Sequence, residues 1–148
     1  MDVPLVTALS DPGALLPYGY PALQVDRILS HEPRRLVAVK AVSRHELDSQ
    51  LGDGAFPASL MIESFLQTCG LLVATELSGR LLIFGSARGI RVSGAANAGD
   101  VLVHTVELVD RYEDTATFTG VSRVGEDAVL SVERAVAVLR PANSVAAR

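Results

Sequence analysis

The residues in this chain able to do acid–base chemistry are few, and their spacing selects among them. Glu63 stands four residues before Gln67, inside a stretch from 60 to 77 that is apolar on nearly every side. At helical spacing Glu63, Gln67, Gly70 and Ala74 fall at i, i+4, i+7 and i+11. They form one narrow polar-to-small stripe on a greasy rod. A carboxylate there is costly unless it is paired or used, which makes Glu63 the first candidate for a general acid or base. The competing reading is a glutamate exposed at a helix start, where the helix dipole favours it. Gln67 would hold that carboxylate or a substrate carbonyl, or serve a plain helix hydrogen bond.

The second carboxylate of interest is Asp53, between Gly52 and Gly54. It would act as a base or hold a water, but Gly-Asp-Gly is also ordinary turn chemistry. The three histidines are scattered: His31 in a loop and His104 inside a strand read as structural, and His45 as a surface residue, with a swing into the site as its other reading. Cys69, the single cysteine, sits among apolar neighbours and reads as packing rather than as a nucleophile. With no CxxC and no Cys/His cluster, neither a zinc site nor any other cofactor is expected.

The elements that must position these residues follow from pattern. The chain has 148 residues, 49% hydrophobic and 20% charged, which suits one globular domain over 1–140 with a flexible tail over 141–148. Its net charge of -4 and its lack of tryptophan argue against nucleic acid and anionic membrane surfaces. One cysteine excludes a disulfide-stapled secreted fold, and the N-terminus lacks signal-peptide character, so a cytoplasmic location is expected. Glu63, Gln67, Thr68, Thr75 and Glu76 argue against a membrane span over 60–77.

Residues 10–13 mark a turn or helix start, and 15–21 a loop. Strands are expected over 23–28 and 34–43, with a loop over 44–55. Phe56-Pro57 opens the buried helix, with Pro57 in its first turn, and Ser78-Gly79 closes it. Five strands follow, over 81–86, 89–93, 101–109, 115–124 and 128–139, the last three joined by short turns as antiparallel neighbours. The order predicts an α+β fold in which an antiparallel sheet curls around one helix. The unprotected edge of such a sheet predicts a homodimer.

The motifs resemble a known family. Leu15-Leu16-Pro17-Tyr18-Gly19-Tyr20-Pro21-Ala22-Leu23-Gln24-Val25-Asp26-Arg27 is similar to the opening LLPHRxPFLLVDR of FabZ-type β-hydroxyacyl-(acyl carrier protein) dehydratases. Phe56-Pro57-Ala58-Ser59-Leu60-Met61-Ile62-Glu63-Ser64-Phe65-Leu66-Gln67 resembles their helix start MPGVLIxEALAQ, and Ala98-Gly99-Asp100 their PGD turn. The resemblance spans about residues 14–140. It implies a hotdog fold, a dimer or higher oligomer of dimers, and a tunnel for an acyl chain held on acyl carrier protein or coenzyme A. In the family a histidine of one subunit takes the α-proton, and a glutamate on the helix of the other protonates the departing β-hydroxyl. Backbone N–H groups near the helix N-terminus polarise the thioester carbonyl.

By this resemblance Glu63 falls on the catalytic glutamate and Gln67 on the glutamine one turn later. Ala58 falls on the glycine whose amide meets the carbonyl. Ser59 and Tyr18 join the substrate-binding set, Tyr18 standing where the opening motif has histidine. The loop reading Ser49-Gln50-Leu51-Gly52-Asp53-Gly54-Ala55-Phe56-Pro57 departs from the family: it is about three residues shorter and lacks the histidine of GHFPG. Asp53 is the candidate replacement base. Three functions are therefore expected in descending order. The first is a dehydratase or isomerase acting on 3-hydroxyacyl thioesters in fatty-acid or polyketide-type metabolism. The second is a thioesterase using Glu63, and the third a non-catalytic acyl binder or structural partner of an active homologue.

Overall fold

A computed structural model of the chain describes residues 11–17, 19, 22–50, 54–77 and 80–141. The short helix α1 (Pro12–Leu15) starts where the sequence places it. Asp11 Oδ1 accepts a 3.0 Å hydrogen bond from the Gly13 N–H, satisfying one of the amides that a helix start leaves without a partner. The strands β1 (Arg27–Glu32) and β2 (Arg35–Ala41) form an antiparallel hairpin. The first strand thus begins later than residue 23 and takes in His31, which the pattern had assigned to a loop. Asp26 Oδ2 accepts from the Ala41 N–H at 2.7 Å, tying the entrance of β1 to the end of β2.

The stretch expected to be a loop over 44–55 contains a helix, α2 (Arg44–Gln50). Ser43 Oγ accepts from the Glu46 N–H at 3.2 Å, and Ser-x-x-Glu is a capping-box spacing. The Glu46 carboxylate takes the buried Lys40 ammonium at 3.1 Å, which pins α2 to β2. The Lys40 ammonium also lies 5.8 Å from the centre of the Phe56 ring at the entrance of the next helix.

That helix, α3 (Ala58–Val73), is the long buried one, extended by a 3-10 turn (Ala74–Glu76). Pro57 is its N-cap rather than part of its first turn. The Phe56 N–H donates to Ala96 O at 2.8 Å, which anchors this entrance to the loop before the next strand pair. By length and composition the stretch Ala58–Glu76 would cross a membrane, yet more than half of it is buried inside the protein.

The remaining strands are β3 (Arg80–Val92), β4 (Val101–Tyr112), β5 (Thr115–Val124) and β6 (Asp127–Pro141). The two short strands expected over 81–93 are thus one strand of 13 residues, with its register shift between Phe84 and Ser86. All six strands pair antiparallel in the order β1-β2-β4-β5-β6-β3. Helix α3 touches β2, β4, β6 and β3, strands from across the sheet, so the sheet curves around it. Met61, Phe65, Cys69 and Leu72 enter the core between them. The architecture is α+β, as expected. The expected helix end at Ser78-Gly79 and the tail after Pro141 lie outside the described residues.

Candidate active site

One face of α3 is left uncovered by the sheet and borders a groove of about 590 Å³. Its lining comes from the segment after α1 (Leu16, Pro17), from α3 (Glu63, Leu66, Gln67, Gly70), from Leu77, and from the first part of β3 (Leu81, Leu82, Ile83, Phe84). The groove is therefore aliphatic along its length and polar at Glu63 and Gln67. Its volume falls in the range of ordinary small-molecule sites. Three members of the sequence-read stripe, Glu63, Gln67 and Gly70, line it together, and Ala74 does not.

Gln67 determines where the Glu63 carboxylate points. Its Nε2 donates to Glu63 Oε1 at 3.0 Å and to the Ala22 carbonyl at 2.9 Å, while its Oε1 accepts from the Gln24 N–H at 2.7 Å. Both amide hydrogens and the amide oxygen are used, which an aliphatic or acidic residue could not reproduce. Glu63 is half-buried, at the groove wall and held on one oxygen. A carboxyl group in that position can pass a proton to or from a ligand lying along the stripe.

Ala58 and Ser59 occupy the first turn of α3 and are exposed. They do not line the groove, but the N–H groups of that turn have no carbonyl partner within the helix. They stand roughly 6–7.5 Å along the helix axis from Glu63. Tyr18 and Asp53 lie outside the described residues. Among the described residues no group of His, Cys, Asp and Glu gathers that could hold a metal ion.

None of the three histidines, all of them described, lines the groove. His45 is exposed on α2. His104 is fully buried on β4, where Nε2 lies 2.7 Å from Ser64 Oγ and Nδ1 2.6 Å from Ser122 Oγ. Burial lowers its pKa to about 4. Cys69 is buried as expected, and burial pushes its thiol well above the ordinary value. The Ser64–His104–Ser122 group is what the sequence reading missed. Its signal was two hydroxyls and an imidazole at positions otherwise surrounded by core residues.

No family model matches the chain. Curated relatives do: the 3-hydroxyacyl-[acyl-carrier-protein] dehydratase FabZ of Neisseria meningitidis is 35% identical over 144 residues, covering 90% of this chain and 93% of that protein. The chain belongs to the FabZ family of 3-hydroxyacyl-[acyl-carrier-protein] dehydratases. The FabZ of Vibrio vulnificus agrees, at 33% identity over 135 residues, 84% of this chain and 89% of that one. Among solved structures, the dehydratase heterocomplex ApeI:P from Xenorhabdus doucetiae superposes with a TM-score of 0.79 at 18% identity, covering 93% of this chain and 95% of that chain. A hypothetical thioesterase from Streptococcus pneumoniae, solved with coenzyme A, gives 0.62 at 17% identity over 77% and 84%. The fold of this FabZ-family chain is thus the hotdog, and its function is FabZ-like dehydration.

Proposed function

We propose that this chain supplies the acid half of a FabZ-type site, with Glu63 protonating the departing β-hydroxyl of a 3-hydroxyacyl thioester. The observation that carries the reading is the Glu63 carboxylate, fixed by Gln67 at the wall of an aliphatic groove. The acyl chain would lie along Leu66, Gly70 and the start of β3. The first-turn amides of α3, from Ala58 and Ser59, would polarise the thioester carbonyl. Loss of water then needs a base for the α-proton. The proton goes to that base, the C–O bond breaks, and the hydroxyl leaves as water with the proton from Glu63.

The base is the part that sequence and geometry do not supply beside Glu63, unless Asp53 provides it. A specific observation favours a second source. Strand β3 is an edge strand, its Ile83, Ile90 and Val92 side chains are exposed, and its first residues wall the groove. A strand added to that edge would bring another subunit beside Glu63. In a homodimer that subunit would offer Asp53. In a heterocomplex, the state of the ApeI:P dehydratase, it would offer a histidine of a FabZ-type partner. The carrier would be acyl carrier protein or coenzyme A, and the setting the cytoplasm.

The test is interconversion of 3-hydroxyacyl and 2-enoyl thioesters, with the protein alone and mixed with a histidine-bearing FabZ-type subunit. Turnover that Glu63→Gln abolishes supports the reading. Turnover untouched by Glu63→Gln overturns it. Release of free thiol would instead make the chain a thioesterase, and binding without turnover in either mixture a non-catalytic subunit.

A further inference from the structure

The hydrogen bonds around Glu63 do not end at Gln67. Gln24 is held on both sides of its backbone by α3: its N–H goes to Gln67 Oε1 at 2.7 Å, and its carbonyl accepts from Ser64 Oγ, also at 2.7 Å. A serine hydroxyl has one hydrogen. With that hydrogen given to Gln24, the 2.7 Å contact between Ser64 Oγ and His104 Nε2 requires the ring N–H to donate to the serine. His104 Nδ1 is then an acceptor, and Ser122 Oγ at 2.6 Å is its donor. One direction of donation runs from Ser122 on β5 through His104 on β4 to Ser64 on α3 and into the backbone at Gln24.

All four side chains, Ser122, His104, Ser64 and Gln67, are buried. In a site of low polarity such a chain of bonds is stiff, and each member left alone would be costly. The Phe65 ring packs edge-on to the imidazole, with centroids 6.3 Å apart, and holds it from the side.

We propose that Ser64, His104 and Ser122 are positioning residues for the acid. They fix the 22–24 segment against α3, and that segment fixes the Gln67 amide that aims Glu63. His104 does not replace the missing base: it lies in the core, on the sheet side of α3, with both nitrogens engaged. The inference rests on the reading of Glu63 as the acid, but the hydrogen-bond relay itself can be tested without turnover.

The experiment uses the full chain with Ser64→Ala, a minimal truncation, and His104→Gln, which keeps both an N–H donor and an acceptor. In Ser64→Ala the Gln24 amide is expected to exchange with solvent faster than in wild type. The Gln67 side-chain NH₂ resonances are expected to move toward those of a solvated amide. Where Glu63-dependent turnover is measurable, kcat falls on the order of tenfold with KM nearly unchanged, the signature of a displaced catalytic group. His104→Gln recovers part of the loss relative to His104→Leu. Unchanged Gln24 exchange and Gln67 resonances in a folded Ser64→Ala protein would overturn the relay. An intact relay together with a silent Glu63→Gln would instead remove the acid assignment and leave the relay as architecture alone.

Discussion

Gln67 Nε2 and Glu63 Oε1 are 3.0 Å apart, one helical turn from each other on the groove face of α3. The same Gln67 amide holds the Ala22 carbonyl and the Gln24 N–H, so the glutamate and the opening segment of the fold share one bracket.

Replacing that bracket should therefore affect stability and chemistry together. Gln67→Leu takes this acceptor from the buried Gln24 N–H, a loss of roughly 1–3 kcal/mol, while the carbonyl of the exposed Ala22 can turn to water. The expected result is a fall of about 1–3 kcal/mol in unfolding free energy by urea titration, with dehydration lost. Gln67→Glu keeps the size but sets a second carboxylate one turn from Glu63, and should be the worse variant for turnover. A Gln67→Leu protein as stable as wild type would show that the bracket is not closed in solution.

His104 makes stability depend on pH in a defined window. Its folded pKa is lowered to about 4 from 6.5 by burial alone. Above 6.5 the imidazole is neutral in both states, and the folded protein keeps its full stability. Between 6.5 and 4 the unfolded chain binds a proton that the folded chain excludes, so stability falls with falling pH. The shift corresponds to roughly 3 kcal/mol over that window. Urea titrations at pH 7 and pH 5 should show the decline in wild type and a shallower one in His104→Gln. Equal slopes in the two proteins would show that His104 is not the group responsible.

Much of this fold was legible because its signals are local. The run over 60–77 is apolar all round apart from one stripe, and the stripe put Glu63, Gln67 and Gly70 on one groove wall. Helix α2 was legible but overlooked: Ser43 and Glu46 carry its capping signal, while the polar, glycine-bearing stretch that follows resembled a loop. Strand β3 was read as two, over 81–86 and 89–93, with a break at Ala87 and Arg88. The strand runs through both because pairing with β6 continues past its bulge. The relay from Ser122 to Gln24 could not be assembled from local pattern. Ser64 and His104 lie 40 residues apart, and nothing in either local pattern announces that α3 crosses β4 there.

Gly70 should set how long an acyl chain the groove accepts. A Cβ built on it would lie 3.4 Å from Leu16 Cδ2 and 4.0 Å from Leu82 Cδ2, so this glycine keeps the space between α3 and its two facing leucines open. It stands about 10 Å along the helix from Glu63, within reach of the tail of a bound chain rather than its reacting carbons. Gly70→Leu should leave short 3-hydroxyacyl thioesters as substrates and exclude long ones, read as kcat/KM across a series of chain lengths. A uniform change across that series would mean that the chain does not pass Gly70.

Gly120 makes the converse case, a glycine needed by the core. It lies on β5 beside a register shift between Phe118 and Gly120. A Cβ there would run into the Thr105 carbonyl oxygen and come within 2.9 Å of Phe65 Cε2. The first neighbour is backbone and cannot yield cheaply; the second is the ring that packs edge-on against His104. Gly120→Ala should therefore lower unfolding free energy by about 1–3 kcal/mol, the usual cost of overpacking. It should also disturb Ser64 through the displaced Phe65 and imidazole. Gln24 amide exchange in this variant should then accelerate as it does in Ser64→Ala, although Gly120 touches neither Gln24 nor Gln67. A destabilised Gly120→Ala protein with normal Gln24 exchange would confine the damage to the sheet and show that the imidazole does not follow the ring.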